Sequence, residues 1–316
     1  MSDYLVPTRH PRFYFSDGGA IFKLNSADRS VAFFYNLHPG LLSERAGFFK
    51  SLFSLPRTPN CTSNLLTEGK SDENPIELSS CVMQTDFDNL LTYLYMGPSA
   101  HPKTTEFLIS VMKLSVFFEI QDSVDHAKAE ITRRGDCILP ALRFELARCF
   151  GINEWIEPTF RRLMEMPLGD LSSSDVLQIG HFGYYWLTQT KVRITELRAS
   201  ISFNVPPVLN SMECPTPDYC ARSWYREWVF NVRTLLHHPD QWTSCLSLLD
   251  QLRNVHIAGL CDACQDLTVT WIWGTQMLTR EEDYIEEAIA ALKDLQRNEP
   301  TRAVVSNSRI LLSSDL

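Results

Sequence analysis

The chain has 316 residues, 44% hydrophobic and 21% charged, a balance that suits a soluble globular protein long enough for two ordinary domains. Its 29 basic residues stand against 38 acidic ones, and the tightest basic pairs, Arg133-Arg134 and Arg161-Arg162, are too short to displace counterions from a nucleic acid, so no direct nucleic-acid partner is expected. Residues 1–12 hold no apolar run, and the longest apolar stretch, 107–120, is interrupted by Lys113 and too short for a bilayer, so the expectation is a cytoplasmic or nuclear protein with no membrane partner. Nine cysteines, an odd number in a reducing compartment, argue against a disulfide framework. Asn60-Cys61-Thr62 is accordingly a chance match to a glycosylation pattern.

Three short apolar runs open the folded part: 13–17, 20–24 and 31–38. The first two flank Asp17-Gly18-Gly19, which predicts a hairpin because glycine takes positive φ without steric cost. The third is aromatic-rich and apolar on both faces, as for a strand buried on both sides. Pro39 then starts a helix expected to continue through Phe53, with Leu42, Phe49 and Leu52 among its apolar stripe. Residues 56–74 read as a long mobile loop, ended by a short strand at 76–78. Thr85 is the expected N-cap of a helix carrying Phe87, Leu90, Leu91 and Leu94, and Gly97-Pro98 stops it. Helices at 104–120 and 122–134 follow.

The ordered set of an Asp after a first strand, a strand ending at His before a Leu-Leu helix, the Ser43 to Phe49 packing pattern and the Phe-x-x-Leu-Leu-x-Tyr-Leu-Tyr-x-Gly helix resembles the BTB/POZ domain. The resemblance covers residues 13–134, and its landmarks here are Asp17, His38, Phe49 and Tyr95. It implies an α+β interaction domain that associates with itself, with another BTB protein, with a cullin-type ubiquitin ligase or with transcriptional co-repressors. The family pairs a buried Asp with a basic residue just after the His. Pro39 occupies that place, so Asp17 needs solvent, backbone amides or a different dimer contact.

Residues 135–297 read as an all-α domain. Pro140 and Pro158 each open a helix, Ser172 and Asp175 form a capping box, a long helix spans 184–201, and Thr279 caps the last helix. The first part is loosely similar to the BACK-type helical extension of BTB adaptors. The whole layout resembles BTB-containing proteins abundant in mushroom-forming fungi. The tail, 298–316, is expected to be poorly ordered.

Cys214, Cys220, Cys261 and Cys264 are the one chemical constellation in the sequence. Cys261-x-x-Cys264 has knuckle spacing for one metal ion, and a second pair completes a tetrahedral zinc site, although five residues separate Cys214 from Cys220. His237, His238 or His256 can replace one thiolate, and the alternative is four small buried hydrophobes. The His-x-Glu of zinc deaminases is absent, as are His-Glu-x-x-His, nucleotide-binding glycine loops and the nucleophile elbow. Trp224, Trp228, Trp271 and Trp273 form either a partner groove or a buried aromatic core. The sequence therefore predicts a non-enzymatic interaction protein with a structural zinc as its candidate cofactor. A zinc-dependent enzyme centred on the cysteines and a transcriptional co-regulator acting through partners are the other readings.

Overall fold

The computed structural model describes residues 6–25, 31–55, 68–99, 104–237 and 244–298. The 298–316 tail expectation falls outside them beyond Asn298, as do His238, Asn60 to Thr62 and the 56–67 part of the expected loop. The chain divides between Ile138 and Leu139 into two compact units. The first holds a small mixed sheet with helices, and the second is helical. Among the described residues no helix is long and apolar enough to cross a membrane.

The sheet has the order β1-β3-β2-β4, from β1 (Val6–Tyr14), β2 (Ala20–Asn25), β3 (Val31–Leu37) and β4 (Ile76–Glu77). The expected hairpin across Asp17-Gly18-Gly19 does not form. β1 runs parallel to β3, while β2 runs antiparallel to β3 on its other side. The turn straddles the end of β3: Phe15 N–H donates to the Asn36 carbonyl at 3.0 Å and Gly19 N–H to that of Leu37 at 2.9 Å. A Cβ on Gly18 would lie 2.5 Å from the Asn36 side chain, so glycine permits this crossing. β1 also begins earlier than expected, because Pro7 and Pro11 are tolerated on an edge strand and at a bulge.

The single expected helix after His38 is two: α1 (Pro39–Arg45) and α2 (Gly47–Ser54), separated by Ala46 in extended geometry. The break lets Gly47 and Phe48 N–H reach the carbonyls of Glu119 and Phe118 at 3.3 and 3.4 Å. Phe49 then stacks on Phe118, centroids 4.8 Å apart, in the core with Phe22 and Phe87. Part of the expected mobile loop is anchored: Ile21 N–H donates to Gly69 at 2.8 Å, and Asp72 binds Arg9 and Tyr14. α3 (Gln84–Met96) is N-capped at Met83 rather than Thr85 and ends at Gly97, φ 73°. α4 (Thr105–Phe117), capped by the Thr104 hydroxyl, and α5 (Gln121–Arg134) complete the unit.

In the second unit α6 (Pro140–Phe150), α7 (Asn153–Glu165), α8 (Ser173–Phe203) and the last helix, Arg280–Asn298, pack together. Pro158 lies inside α7 instead of opening it; buried Trp155 and Ile156 hold the turn before the proline in place. The Ser172–Asp175 capping box closes as expected, whereas the Thr279 hydroxyl turns back to the Gln276 carbonyl. The remaining elements are α9 (Pro217–Glu227), a π-helical turn (Trp228–Val232), α10 (Arg233–Leu236), α11 (Cys245–Asn254) and α12 (Asp262–Gly274), which makes the last helix α13.

α8 is tied to its neighbours by buried charge. Arg198 and Glu281 form an ion pair at 2.8 Å, both almost wholly buried. Lys191 donates to the Met164 and Met166 carbonyls at the end of α7, the latter at 2.8 Å, and burial lowers its pKa from 10.5 to about 8. The unfolded chain therefore holds a proton between pH 8 and 10.5 that the folded chain does not. Stability should rise across that window relative to Lys191→Met, by on the order of 2 kcal/mol once solvent screening is allowed for. Urea denaturation of both proteins at several pH values measures the difference, and a wild-type stability that stays level or falls relative to the variant's across that window would contradict it.

Candidate metal centre

The four cysteines singled out from the sequence converge. Cys214 lies in a turn whose N–H donates to the Ser211 carbonyl at 3.0 Å. Pro217 takes the first position of α9, which its fixed φ suits, and this brings Cys220 into the first turn of that helix. The prolines thereby make up for the wide spacing of the first pair: one sulfur precedes the helix and the other rides on it. Cys261 stands at the N-cap of α12 and Cys264 is three residues on, both within the first turn at the positive end of the helix dipole.

The four sulfurs all lie within 4.8 Å of one another. Cys214 to Cys220 is 3.6 Å and Cys214 to Cys261 is 3.8 Å. Zinc–sulfur bonds of about 2.3 Å in a tetrahedron place sulfurs about 3.8 Å apart, so the spacing fits an ion of that size. None of the four is in a disulfide. Cys220 and Cys264 are buried, while Cys214 and Cys261 are half-buried.

Backbone amides face the sulfurs. Ser211 N–H donates to Cys264 Sγ at 3.2 Å. Cys261 closes no side-chain cap, yet the N–H and thiol of Cys264 beside it hold its pKa below the ordinary thiol range. Burial pushes Cys264 up to about 12 and also raises Cys220. A dry pocket of this kind favours neutral thiols in the absence of a cation and thiolates in its presence.

The support for the cluster is tertiary. Trp224 and Trp228, buried in one core with Cys220 and Cys264, donate their indole N–H groups to the Pro206 carbonyl at 2.8 Å and the Ile201 carbonyl at 3.4 Å. Thr268 accepts from Leu209 N–H at 2.9 Å and donates to the Cys264 carbonyl, pinning the 204–216 segment to α12. Gly259, at φ 84°, carries the chain so close to α9 that a Cβ there would meet Ser223 Oγ at 2.5 Å and Tyr219 at 2.6 Å. The sequence reading named neither Gly259 nor Thr268; a lone glycine two residues before a Cys-x-x-Cys was the available sign.

Of the candidate histidines, the two described ones do not join the cluster. His237 Nε2 is 2.9 Å from Ser202 Oγ, and His256 is exposed, 3.9 Å from Asp262. Trp224 and Trp228 are core residues, whereas Trp271 and Trp273 stand 37% and 50% exposed, so the four tryptophans do not form one groove.

In the first unit three of the four landmarks meet. His38 N–H donates to the Tyr95 hydroxyl at 3.1 Å, that hydroxyl lies 3.0 Å from His38 Nδ1, and His38 Nε2 faces Asp17 at 3.4 Å. Asp17 is exposed, so water solvates the carboxylate that the family pattern buries. Phe49 sits apart, in the aromatic core. A polar node the sequence reading missed joins His10, Asp88 and Tyr35. His10 Nδ1 accepts from Phe13 N–H at 3.0 Å, which leaves Nε2 as the donor to Asp88 at 3.3 Å, and Tyr35 donates to the same carboxylate at 3.0 Å.

No protein-family model matches the sequence, and comparison with curated proteins finds no match.

Gly259→Ala tests the support directly. Both the positive φ and the close approach to α9 oppose a side chain, so a loss of about 1–3 kcal/mol is expected. Urea unfolding followed by the fluorescence of the buried tryptophans measures it, and an unchanged midpoint would contradict the constraint.

Proposed function

We propose that the chain is a non-enzymatic interaction protein whose helical unit is stapled by one structural zinc ion on Cys214, Cys220, Cys261 and Cys264. The observation that carries the reading is the mutual approach of the four sulfurs, within 4.8 Å, from two stretches of chain well apart in sequence. Four thiolates fill a tetrahedral shell and leave no position for water or substrate, the mark of a structural rather than a catalytic zinc. Such an ion ties the segment after α8 to the starts of α9 and α12.

The interaction part of the proposal rests on the first unit. β2 lies between antiparallel β3 and parallel β4, a helix pair follows β3, and α3 returns its Tyr95 to His38. These features support the likeness to a BTB/POZ domain and so a partner that is a second copy, another BTB protein or a cullin. Two features set the chain apart from that pattern: exposed Asp17 with Pro39 beside His38, and β1 added parallel to β3. Both bear on how a partner is met, because β1 supplies one edge of the sheet.

Metal analysis of protein purified without chelator should give one zinc per chain, and cobalt exchanged into the site should show the charge-transfer and ligand-field bands of a tetrathiolate. Cys220→Ser should reduce the zinc content and lower the urea midpoint together. A zinc-free but equally stable protein would refute the staple, and a metal that keeps an exchangeable water would favour the enzymatic reading. Light scattering across concentration separately tests the interaction reading: a dimer, or a cullin that co-purifies, supports it. A monomer at every concentration that retains neither a cullin nor a BTB partner removes it.

A further inference from the structure

A second feature of the helical unit is independent of the cysteines. α8 leaves helical geometry once, at Gly180, with φ 74° and ψ 168°. One turn later, a Cβ on Gly183 would come within 2.6 Å of the Phe144 ring. The two glycines let a bent α8 lie close against α6. Beside the bend, among α6, α7, α8 and α13, is a cavity of about 220 Å³. Its walls are apolar, chiefly Ile156, Ile179 and Leu292, with Arg148 and Gln296 among its polar groups.

The space and the charge both point to an occupant. An apolar cavity of about 150 Å³ accepts benzene, so this one has room for roughly nine non-hydrogen atoms, enough for an eight-carbon body whose polar head stays at the rim. Arg148 makes only a long hydrogen bond, from Nη2 to the Gln178 carbonyl at 3.5 Å, and no salt bridge to it is found among the described residues. Glu145, one turn earlier on α6, is the neighbouring carboxyl. Burial raises its pKa and the Arg148 charge lowers it, while Arg148 itself is exposed at the rim of the cavity with its guanidinium free to meet a further anion. Gln296 gives its Nε2 to the Ala147 carbonyl at 2.6 Å and keeps a buried Oε1 that has no hydrogen-bond partner among the described residues. An unmet buried acceptor in a cavity wall calls for a donor, which an ordered water supplies and a carboxylate does not, so the anionic head belongs at Arg148 and away from Gln296.

We propose that this cavity binds a small amphiphilic monocarboxylate, with its hydrocarbon body among Ile156, Ile179 and Leu292 and its carboxylate on Arg148. A planar guanidinium recognises a carboxylate through two parallel hydrogen bonds, and its exposed place at the rim lets the head stay at the surface while the body enters the apolar cavity.

Octanoate is the probe, with octan-1-ol and octylamine as neutral and cationic analogues of the same body. Calorimetric titration of the full-length chain should show saturable one-site binding of octanoate, weaker binding of the alcohol and the weakest of the amine. Arg148→Gln should weaken octanoate by about ten-fold or more while leaving the alcohol nearly unchanged, since one charge-assisted contact is lost. Arg148→Glu should reverse the order of octanoate and octylamine, a result that loss of fold cannot produce. Unsaturable uptake of octanoate, or equal binding by the wild type and Arg148→Glu, would overturn the proposal.

Discussion

Four sulfur atoms packed within 4.8 Å in a largely buried pocket are an electrostatic constraint before they are a site. As thiolates without a cation they would repel one another in a medium that screens poorly. As neutral thiols they would contribute only weak hydrogen bonds, and burial already pushes Cys264 and Cys220 toward that form. A divalent cation resolves the conflict by making every sulfur an anion with a shared partner. The surrounding chain is arranged as though for that state. The Ser211 N–H points at Cys264, Cys261 sits at a helix start, and Gly259 gives up a side chain to let the segments meet. The same contacts hold the core of Trp224 and Trp228, so the packing of this region and the chemistry of the cluster are one problem.

Much of the cluster was legible in the sequence because its signals are local. Cys-x-x-Cys at the start of a helix is a spacing, and Pro217 is a helix-start residue. The wide first pair departs from knuckle spacing, and only the structure shows how a proline-led helix start makes up the difference. Thr268 and Ser211 carried no readable sign of their roles, since their partners lie 59 and 53 positions away, and the glycine before the Cys-x-x-Cys did not by itself name its neighbour on α9. His237 and His256 were plausible ligands by chemistry alone; position removed them, with His237 drawn to Ser202 and His256 left in solvent.

The fold repeats the contrast. Strongly patterned segments such as β2, β3, α4 and α5 lie close to where periodicity places them. The errors occur where a distant contact overrules a local preference. Residues 39–54 have the stripe of one helix, yet Ala46 is extended because Gly47 and Phe48 find carbonyl partners on the turn after α4. A glycine pair between two apolar runs favours a hairpin, yet the Asn36 side chain and the end of β3 occupy the space between the two strands. In both cases a glycine is the residue that makes the tertiary choice possible, and its local meaning is ambiguous for that reason.

α8 connects these themes within the helical unit. Gly180 bends it beside the cavity, Lys191 and Arg198 fasten its middle to α7 and α13, and its end at Phe203 leads straight into the segment that carries Cys214. From the bend to the end is 23 residues, about 35 Å at helical rise. Buried polar contacts along that length resist sliding, because any shift strands an ammonium or a guanidinium away from its acceptors. A change at the bend would therefore reach the cysteine segment only by moving α8 as a whole, not by local adjustment. The cavity and the cluster share a rigid element while using unrelated chemistry, apolar volume with one guanidinium at one end and four cysteine sulfurs at the other. The physical demand common to both is that α8 keep its register.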